Sequence, residues 1–385
     1  MKIADRMSNL GTETAFEVLA KARKLEAEGK SIIHLEIGEP DFPTPENICQ
    51  AAINSIKAGD THYTPSAGIP EVRKSIADYI SRTRHIEVHP DEVVMTPGAK
   101  PIMFYAILTL VNEGDEVIYP NPGFPIYESM IKFVGGKPVP LKLKEEMSFA
   151  FDTKDLKKLI TPKTKMLIIN TPQNPTGGIL TESEIREIGE ILKDRPDIWI
   201  LSDEIYSRLI FKGDHFSITQ IPGFKDRTII LDGFSKTYAM TGWRAGYGVM
   251  NTELAKLIAQ LMTNSNSCTN TMVQKACIEA YEGPQDSVEV MKAEFMARRD
   301  IIVDGLNSIK GFSCIVPNGA FYAFPNITKT GYSSKDLNEI LLYKGGVAAL
   351  SGTSFGEYGE GYLRFSYANS RENIKEAIKR IKAVL

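Results

Sequence analysis

Short apolar runs alternate with longer amphipathic stretches through most of the chain. The runs at 93–95, 117–119, 166–169, 198–201 and 228–231 are continuously apolar, with helix-period spacing of apolar positions between them. A strand that is apolar at every position is buried on both faces, as in a parallel sheet covered by helices on each side. The stretch 245–249 adds a further strand, expected at an edge and antiparallel to its neighbour. Earlier, Phe16, Leu19 and Ala20 with a closing Gly29 predict a helix over 14–29, and 31–37 reads as a short strand. Thr44, Pro45 and Glu46 read as a helix start, with a hydroxyl N-cap, proline at the first position and an acid in the first turn; that helix should end at Gly59. After Pro284 the rhythm changes. A long charged helix over 286–307 leads into separate strands near 320–324, 347–350 and 362–366, and a last helix starts at Arg371. This order predicts an α/β chain of two domains. The large one spans 46–284, and a smaller one combines 285–385 with the N-terminal segment 1–45.

Length and composition narrow the function classes. A chain of 385 residues is long for one core and suits two domains. With 43% hydrophobic and 24% charged residues the composition is ordinary for a globular protein. The net charge of −3, with both signs scattered, lacks the basic excess of a nucleic-acid binder. Residues 1–10 show no apolar core or cleavage site, so no signal peptide is expected, and the longest apolar stretch, 101–111, is too short to span a bilayer. Cys49, Cys268, Cys277 and Cys314 are scattered, which argues against a disulfide framework or a metal site and for inert thiols in a reducing cytoplasm. No G-x-G-x-x-G follows a strand, and no P-loop or H-E-x-x-H is present.

The polar residues that carry chemistry follow the apolar runs, where open α/β sheets bind ligands. The first run leads into Thr96-Pro97-Gly98-Ala99-Lys100 and a helix, a turn whose free N–H groups and dipole suit an anion. Others lead into Asn170-Thr171-Pro172-Gln173-Asn174, into Ser202-Asp203-Glu204-Ile205-Tyr206, and into Asp232-Gly233-Phe234-Ser235-Lys236. One rim therefore collects an anion cradle, an amide, an acid, a phenol and an amine. A lysine forms a Schiff base with an aldehyde. A carboxylate keeps a pyridine nitrogen protonated. An arginine clamps a carboxylate through two parallel hydrogen bonds. Each residue alone has a plainer reading, Asp203 as a helix cap, Tyr206 as a core aromatic and Arg244 as a surface ion-pair partner; the combination is what points to a phosphorylated, amine-handling cofactor.

At this point the chain resembles the class I aminotransferases of the aspartate/aromatic group, fold-type I enzymes that use pyridoxal 5′-phosphate. In order, the motifs are Gly38-Glu39-Pro40-Asp41-Phe42, Tyr63-Thr64-Pro65-Ser66-Ala67-Gly68, Pro97-Gly98-Ala99, Asn174-Pro175-Thr176-Gly177, Ser202-Asp203-Glu204-Ile205-Tyr206, Gly233-Phe234-Ser235-Lys236-Thr237-Tyr238-Ala239-Met240-Thr241-Gly242-Trp243-Arg244 and Tyr362-Leu363-Arg364-Phe365-Ser366. The resemblance implies a mainly parallel seven-stranded sheet flanked by helices, plus a smaller α+β domain. It implies that Lys236 carries the cofactor as a Schiff base and later acts as general base, that Asp203 pairs with the ring nitrogen, and that Tyr206 and Asn174 bond the ring oxygen. Phe124 would stack on the ring. The amides of Gly98, Ala99 and Lys100 would hold the phosphate, with Arg244 as its cation. Tyr63 would reach the phosphate of a neighbouring subunit in a homodimer. Arg364, with Asn174 and the backbone of Gly38, would clamp the substrate α-carboxylate. Three departures stand out, one being Phe124 in place of the tryptophan of some members, which can still stack. Gly233 replaces a frequent phosphate-binding serine, for which Ser235 or Lys100 substitutes, and Thr263 stands where some members carry a second substrate-binding arginine.

The expected activity is ping-pong transfer of an amino group between an L-amino acid and a 2-oxo acid, with glutamate and 2-oxoglutarate as one pair and aspartate first for the other. Aromatic or alanine aminotransferase and a β C–S lyase are the alternatives on the same scaffold. A DNA-binding regulator built on this fold is disfavoured, because the match begins almost at residue 1 and the charge is acidic. The segment 10–16 is expected to close over the site.

Overall fold

The computed structural model describes residues 3–385; Met1 and Lys2, assigned above to the N-terminal segment, lie outside the described residues. The helices are α1 (Thr14–Ala27), α2 (Glu46–Ala58), α3 (Pro70–Arg84), α4 (Lys100–Leu110), α5 (Ile126–Phe133), α6 (Thr153–Leu159), α7 (Glu182–Leu192), α8 (Thr252–Ser265), α9 (Thr271–Glu282), α10 (Asp286–Asn307), α11 (Ser334–Tyr343) and α12 (Arg371–Val384). The strands are β1 (Ile33–His34), β2 (Val93–Thr96), β3 (Glu116–Asn121), β4 (Lys137–Lys142), β5 (Thr164–Asn170), β6 (Trp199–Asp203), β7 (Thr228–Gly233), β8 (Gly246–Val249), β9 (Tyr322–Ala323), β10 (Val347–Ala348), β11 (Leu350–Ser351) and β12 (Leu363–Ser366).

The continuously apolar runs form a 7-stranded sheet in the order β2-β8-β7-β6-β5-β3-β4. Its strands are parallel except β8, which is antiparallel to both β2 and β7. The edge position expected for 245–249 is therefore corrected: β8 is interior. Its glycines explain this. A Cβ on Gly248 would lie 2.7 Å from Cγ2 of Ile102, so α4 packs directly onto β8, and a segment weak in apolar side chains is still fully covered. The true edge includes β4, which the apolar pattern does not reveal. Pro138 and Pro140 interrupt it, and proline is tolerated in a strand that pairs on one side only.

The remaining strands form a 3-stranded antiparallel sheet, β11-β12-β9, and a parallel pair, β1 with β10. In that pair Ile33 faces Val347. The expected strand 31–37 narrows to Ile33–His34, and the run 347–350 divides into β10 and β11 on two different sheets. The helix expected from Thr44 starts one residue later, with Pro45 at the cap position. The Thr44 hydroxyl instead donates to the Ala239 carbonyl at 2.7 Å and accepts from Nε1 of Trp243 at 2.9 Å, tying the N-terminal segment to the loop after β7. α2 does end at Gly59, whose φ of 85° closes the helix in the left-handed conformation that glycine adopts without penalty. Among the described residues no helix is long and apolar enough to cross a membrane.

Candidate active site

The carboxyl ends of β5, β6 and β7 open onto one cavity of about 510 Å³. Lys236, Asp203, Tyr206, Asn174, Ser235, Phe124, Ala99, Lys100, Gly38, Arg244 and Arg364 all line it. Gly98 abuts the Arg244 guanidinium just behind that wall. Tyr63 lies elsewhere, 88% exposed on the surface.

Lys236 follows β7 by three residues and points back into the cavity, where Nζ donates to the Gly38 carbonyl at 2.5 Å. Removal from water disfavours its charged form and lowers the amine to about 8. Asp203, the last residue of β6, is buried at 8% exposure, and burial pushes its carboxyl up to about 6. Two donors oppose that rise: Tyr127 Oη bonds Oδ2 at 2.5 Å, and the Ile205 amide bonds Oδ1 at 3.3 Å. A buried carboxyl held partly charged by one phenol is suited to a cationic partner entering from the cavity.

The turn between β2 and α4 forms the opposite end. Helix starts leave N–H groups without intrahelical partners. Gly98 has φ +86, and a Cβ there would fall 2.1 Å from Nη2 of Arg244, so only glycine lets that guanidinium lie against the turn. Arg244 adopts φ 54 and Ala239 φ 50, left-handed conformations that L side chains rarely take and that cluster at functional sites. Arg244 Nη1 donates to the Thr241 carbonyl at 2.7 Å. Gly233 leaves no room for the serine often found there, since a Cβ would sit 2.9 Å from the Gly246 Cα.

Arg364, on β12, is buried at 4% exposure. Nη1 donates to Oδ1 of Asn174 at 3.0 Å, Nη2 donates to the Glu36 carbonyl, and among the described residues Nε has no partner. The ring of Tyr322 lies 4.6 Å and that of Phe355 5.0 Å from its guanidinium carbon. A buried guanidinium bonded to an amide and a carbonyl can still take up an anion. Tyr206 Oη shares a 2.7 Å hydrogen bond with Tyr322 Oη.

Sequence reasoning did not single out Tyr127, Tyr322 or Asn170. Asn170 accepts from the Asn174 amide at 3.1 Å and donates to the Pro172 and Asp203 carbonyls, so it sets the loop that carries Asn174. Glu13 and Phe16 bring the N-terminal segment to the cavity wall, and Glu13 pairs with the Lys100 ammonium. That ammonium also stands 5.5 Å from the Phe124 ring centre. Thr263 lies outside the cavity, donating to Oγ of Ser66 at 2.8 Å.

The family model described as aminotransferase class I and II matches residues 30–381. An aspartate aminotransferase of Bacillus sp. (strain YM-2) is 41% identical over 386 residues, covering 98% of each chain. The structure of aspartate aminotransferase from Thermus thermophilus with maleate superposes with a TM-score of 0.96 at 34% identity, covering 100% of both chains. That of an aromatic aminotransferase from Pyrococcus horikoshii OT3 gives 0.90 at 37% identity, covering 95% of this chain and 98% of the other.

Proposed function

This chain belongs to the class I and II aminotransferases and is a pyridoxal 5′-phosphate-dependent transaminase; on that premise we propose that it moves an amino group between an acidic L-amino acid, aspartate first, and a 2-oxo acid, with glutamate and 2-oxoglutarate as the second pair. The observation that carries this reading is one cavity lined at once by Lys236, Asp203, Arg364 and Lys100.

The residues present fit the cofactor. Gly98 opens the turn against Arg244 for a phosphate, Asp203 is a buried carboxyl whose hydrogen-bond donors are the Tyr127 hydroxyl and the Ile205 amide, and the cavity has the size of a small-molecule site. Arg244 and the amides of Gly98, Ala99 and Lys100 would hold the phosphate, Ser235 would supply a hydroxyl, Tyr206 and Asn174 would bond the ring oxygen, and Phe124 would cover a ring face. Held there, the cofactor would supply an aldehyde for the substrate's amino group and a protonated ring as an electron sink for the substrate Cα. Lys236 holds and moves the proton. Its amine, lowered to about 8, is partly neutral near neutral pH and can accept the Cα proton at Nζ. Arg364 orients the substrate through its α-carboxylate, with Asn174 fixing the guanidinium. Gly38 keeps the N-terminal segment against the site, because a Cβ there would fall 2.1 Å from the Tyr322 hydroxyl.

Lys100 is the cation we assign to the substrate's second carboxylate, in place of the arginine absent at Thr263. A second reading, an aromatic donor, is favoured by Phe16, Ile37, Met103 and Phe124 on the same walls. The division into 46–284 and 1–45 with 285–385 is supported by the separate sheets, and we place both halves in a cytoplasmic homodimer; the unpaired cysteines and the exposed Tyr63 ring support this.

The test follows the cofactor's visible absorbance after adding aspartate, glutamate, tyrosine, phenylalanine or alanine. Loss of the band with aspartate and glutamate, and its return with 2-oxoglutarate, is expected. Release of pyruvate and ammonia from a cysteine-type substrate without band loss would replace transamination by lyase chemistry. Lys236→Ala should reduce turnover by on the order of 10²–10⁴-fold or more while the fold is kept.

A further inference from the structure

We propose that Glu13 is a specificity-determining residue, whose carboxylate competes with a substrate's side-chain carboxylate for Lys100 and so sets how strongly the pocket prefers acidic over neutral amino acids. The inference rests on the assignment of Lys100 made above.

Glu13 occupies the cap position of α1, yet its side chain makes no capping hydrogen bond. It reaches instead across the cavity mouth to the ammonium in the first turn of α4, with the Glu13 side chain 19% and the Lys100 side chain 47% exposed. This carboxylate has given up most of its hydration for a cation that lines the substrate space, not for its own helix. The other charged groups facing that space are the cations Lys236, Arg244 and Arg364 and the acids Asp203 and Glu39. Glu39 accepts from the Thr241 hydroxyl, and Asp203 is bonded to Tyr127, so Glu13 is the acid placed at Lys100.

The consequences for two substrate classes differ. A monocarboxylic amino acid needs Arg364 alone. The Glu13–Lys100 pair can then stay closed, leaving a neutralised wall beside Phe16 and Phe124 that accepts an apolar side chain. A dicarboxylic one must displace Glu13 from Lys100. A partly exposed ion pair is worth up to about 1 kcal/mol, so the displacement costs roughly two- to fivefold in affinity. The same pocket is thereby moderately acidic-selective while still open to aromatic side chains.

The experiment compares the wild-type holoenzyme with Glu13→Gln, which keeps the shape and removes the charge. Spectral titration measures binding of succinate, a dicarboxylate that cannot react, and of 3-phenylpropionate, a monocarboxylate. The expected result is succinate bound roughly two- to fivefold more tightly by Glu13→Gln with phenylpropionate unchanged, and the KM for aspartate lowered with kcat preserved. Equal tightening of both ligands would assign Glu13 to Arg364 and overturn the inference, as would no change for succinate. Lys100→Gln separates the two readings. If it leaves succinate binding intact, Lys100 does not read the second carboxylate and both readings fall. If it weakens succinate while Glu13→Gln has no effect, the acidic-substrate reading stands and only the role of Glu13 is lost.

Discussion

At the scale of single residues, the site depends on how Asp203 is kept charged while buried. Burial drives its carboxyl up to about 6, and the Tyr127 hydroxyl is the strongest of the contacts that pull it back. Tyr127→Phe removes that donor without changing the ring. The carboxyl should rise further, so less of it is ionised at pH 7 and, in the role proposed for it, it would hold a protonated ring nitrogen less well. We expect kcat to fall about 10- to 100-fold, the value of one hydrogen bond to a charged group, with the cofactor still attached. The acidic limb of the kcat–pH profile should move to higher pH, a shift that loss of packing alone would not produce. Asp203, Asn174 and Lys236 could be proposed from the sequence because each lies in a polar stretch that follows a continuously apolar run, whereas Arg364 was reached only through the resemblance of its motif. Tyr127 and Tyr322 were reached by neither route. Each is a fully buried aromatic within an apolar stretch, and only partners distant in sequence, Asp203 and Tyr206, distinguish them from core residues.

At the scale of elements, strand order decides where the turn proposed to hold the phosphate sits. Placing β8 between β2 and β7 sets its first residue, Gly246, beneath the turn that starts α4. A Cβ on Gly246 would come 2.3 Å from the Ala99 nitrogen and 2.5 Å from the Gly98 carbonyl carbon, both backbone atoms that can yield only by moving the turn. Gly246→Ala should therefore weaken cofactor binding by about tenfold or more, from the 1–3 kcal/mol typical of overpacking. Titration of the apoprotein with pyridoxal 5′-phosphate measures this, with far-UV circular dichroism unchanged. The five continuously apolar runs all became strands of the large sheet, because double-sided burial leaves a strong mark on composition. β8 and β4 were misplaced or missed for opposite reasons. One is interior but built from glycine, which carries no hydropathy signal, and the other is an edge strand that tolerates proline and polar residues.

For the whole molecule, the segment from β1 to α2 joins the two smaller sheets to the active site. Ile33 pairs with Val347, the Ser366 amide donates to the Leu35 carbonyl at 2.7 Å, Arg364 donates to the Glu36 carbonyl, and Lys236 donates to the Gly38 carbonyl. Pairing across so long a stretch of sequence leaves no local signature, so the pattern gave a strand over 31–37 where only Ile33–His34 pairs. Glu36 is wholly buried, and its carboxylate meets Nδ1 of His34 at 2.7 Å, while Glu26 meets Nε2 at 3.1 Å. The hydrogen bond to Glu36 raises the imidazole from its ordinary 6.5 to about 9, against the opposing effect of burial. Because the folded value lies above the unfolded one, the stabilisation is fully present below pH 6.5 and is lost as the pH rises through about 9. His34→Gln should then lower the melting temperature by roughly 2 °C at pH 6, and that difference should shrink towards zero by pH 10. A deficit equally large at both pH values would mean that His34 acts through packing and not through its charge. A deficit that closes between those values would instead place a charged clasp directly behind Arg364, so that loss of the imidazolium at alkaline pH loosens the same segment whose Glu36 carbonyl holds the arginine proposed to bind substrate.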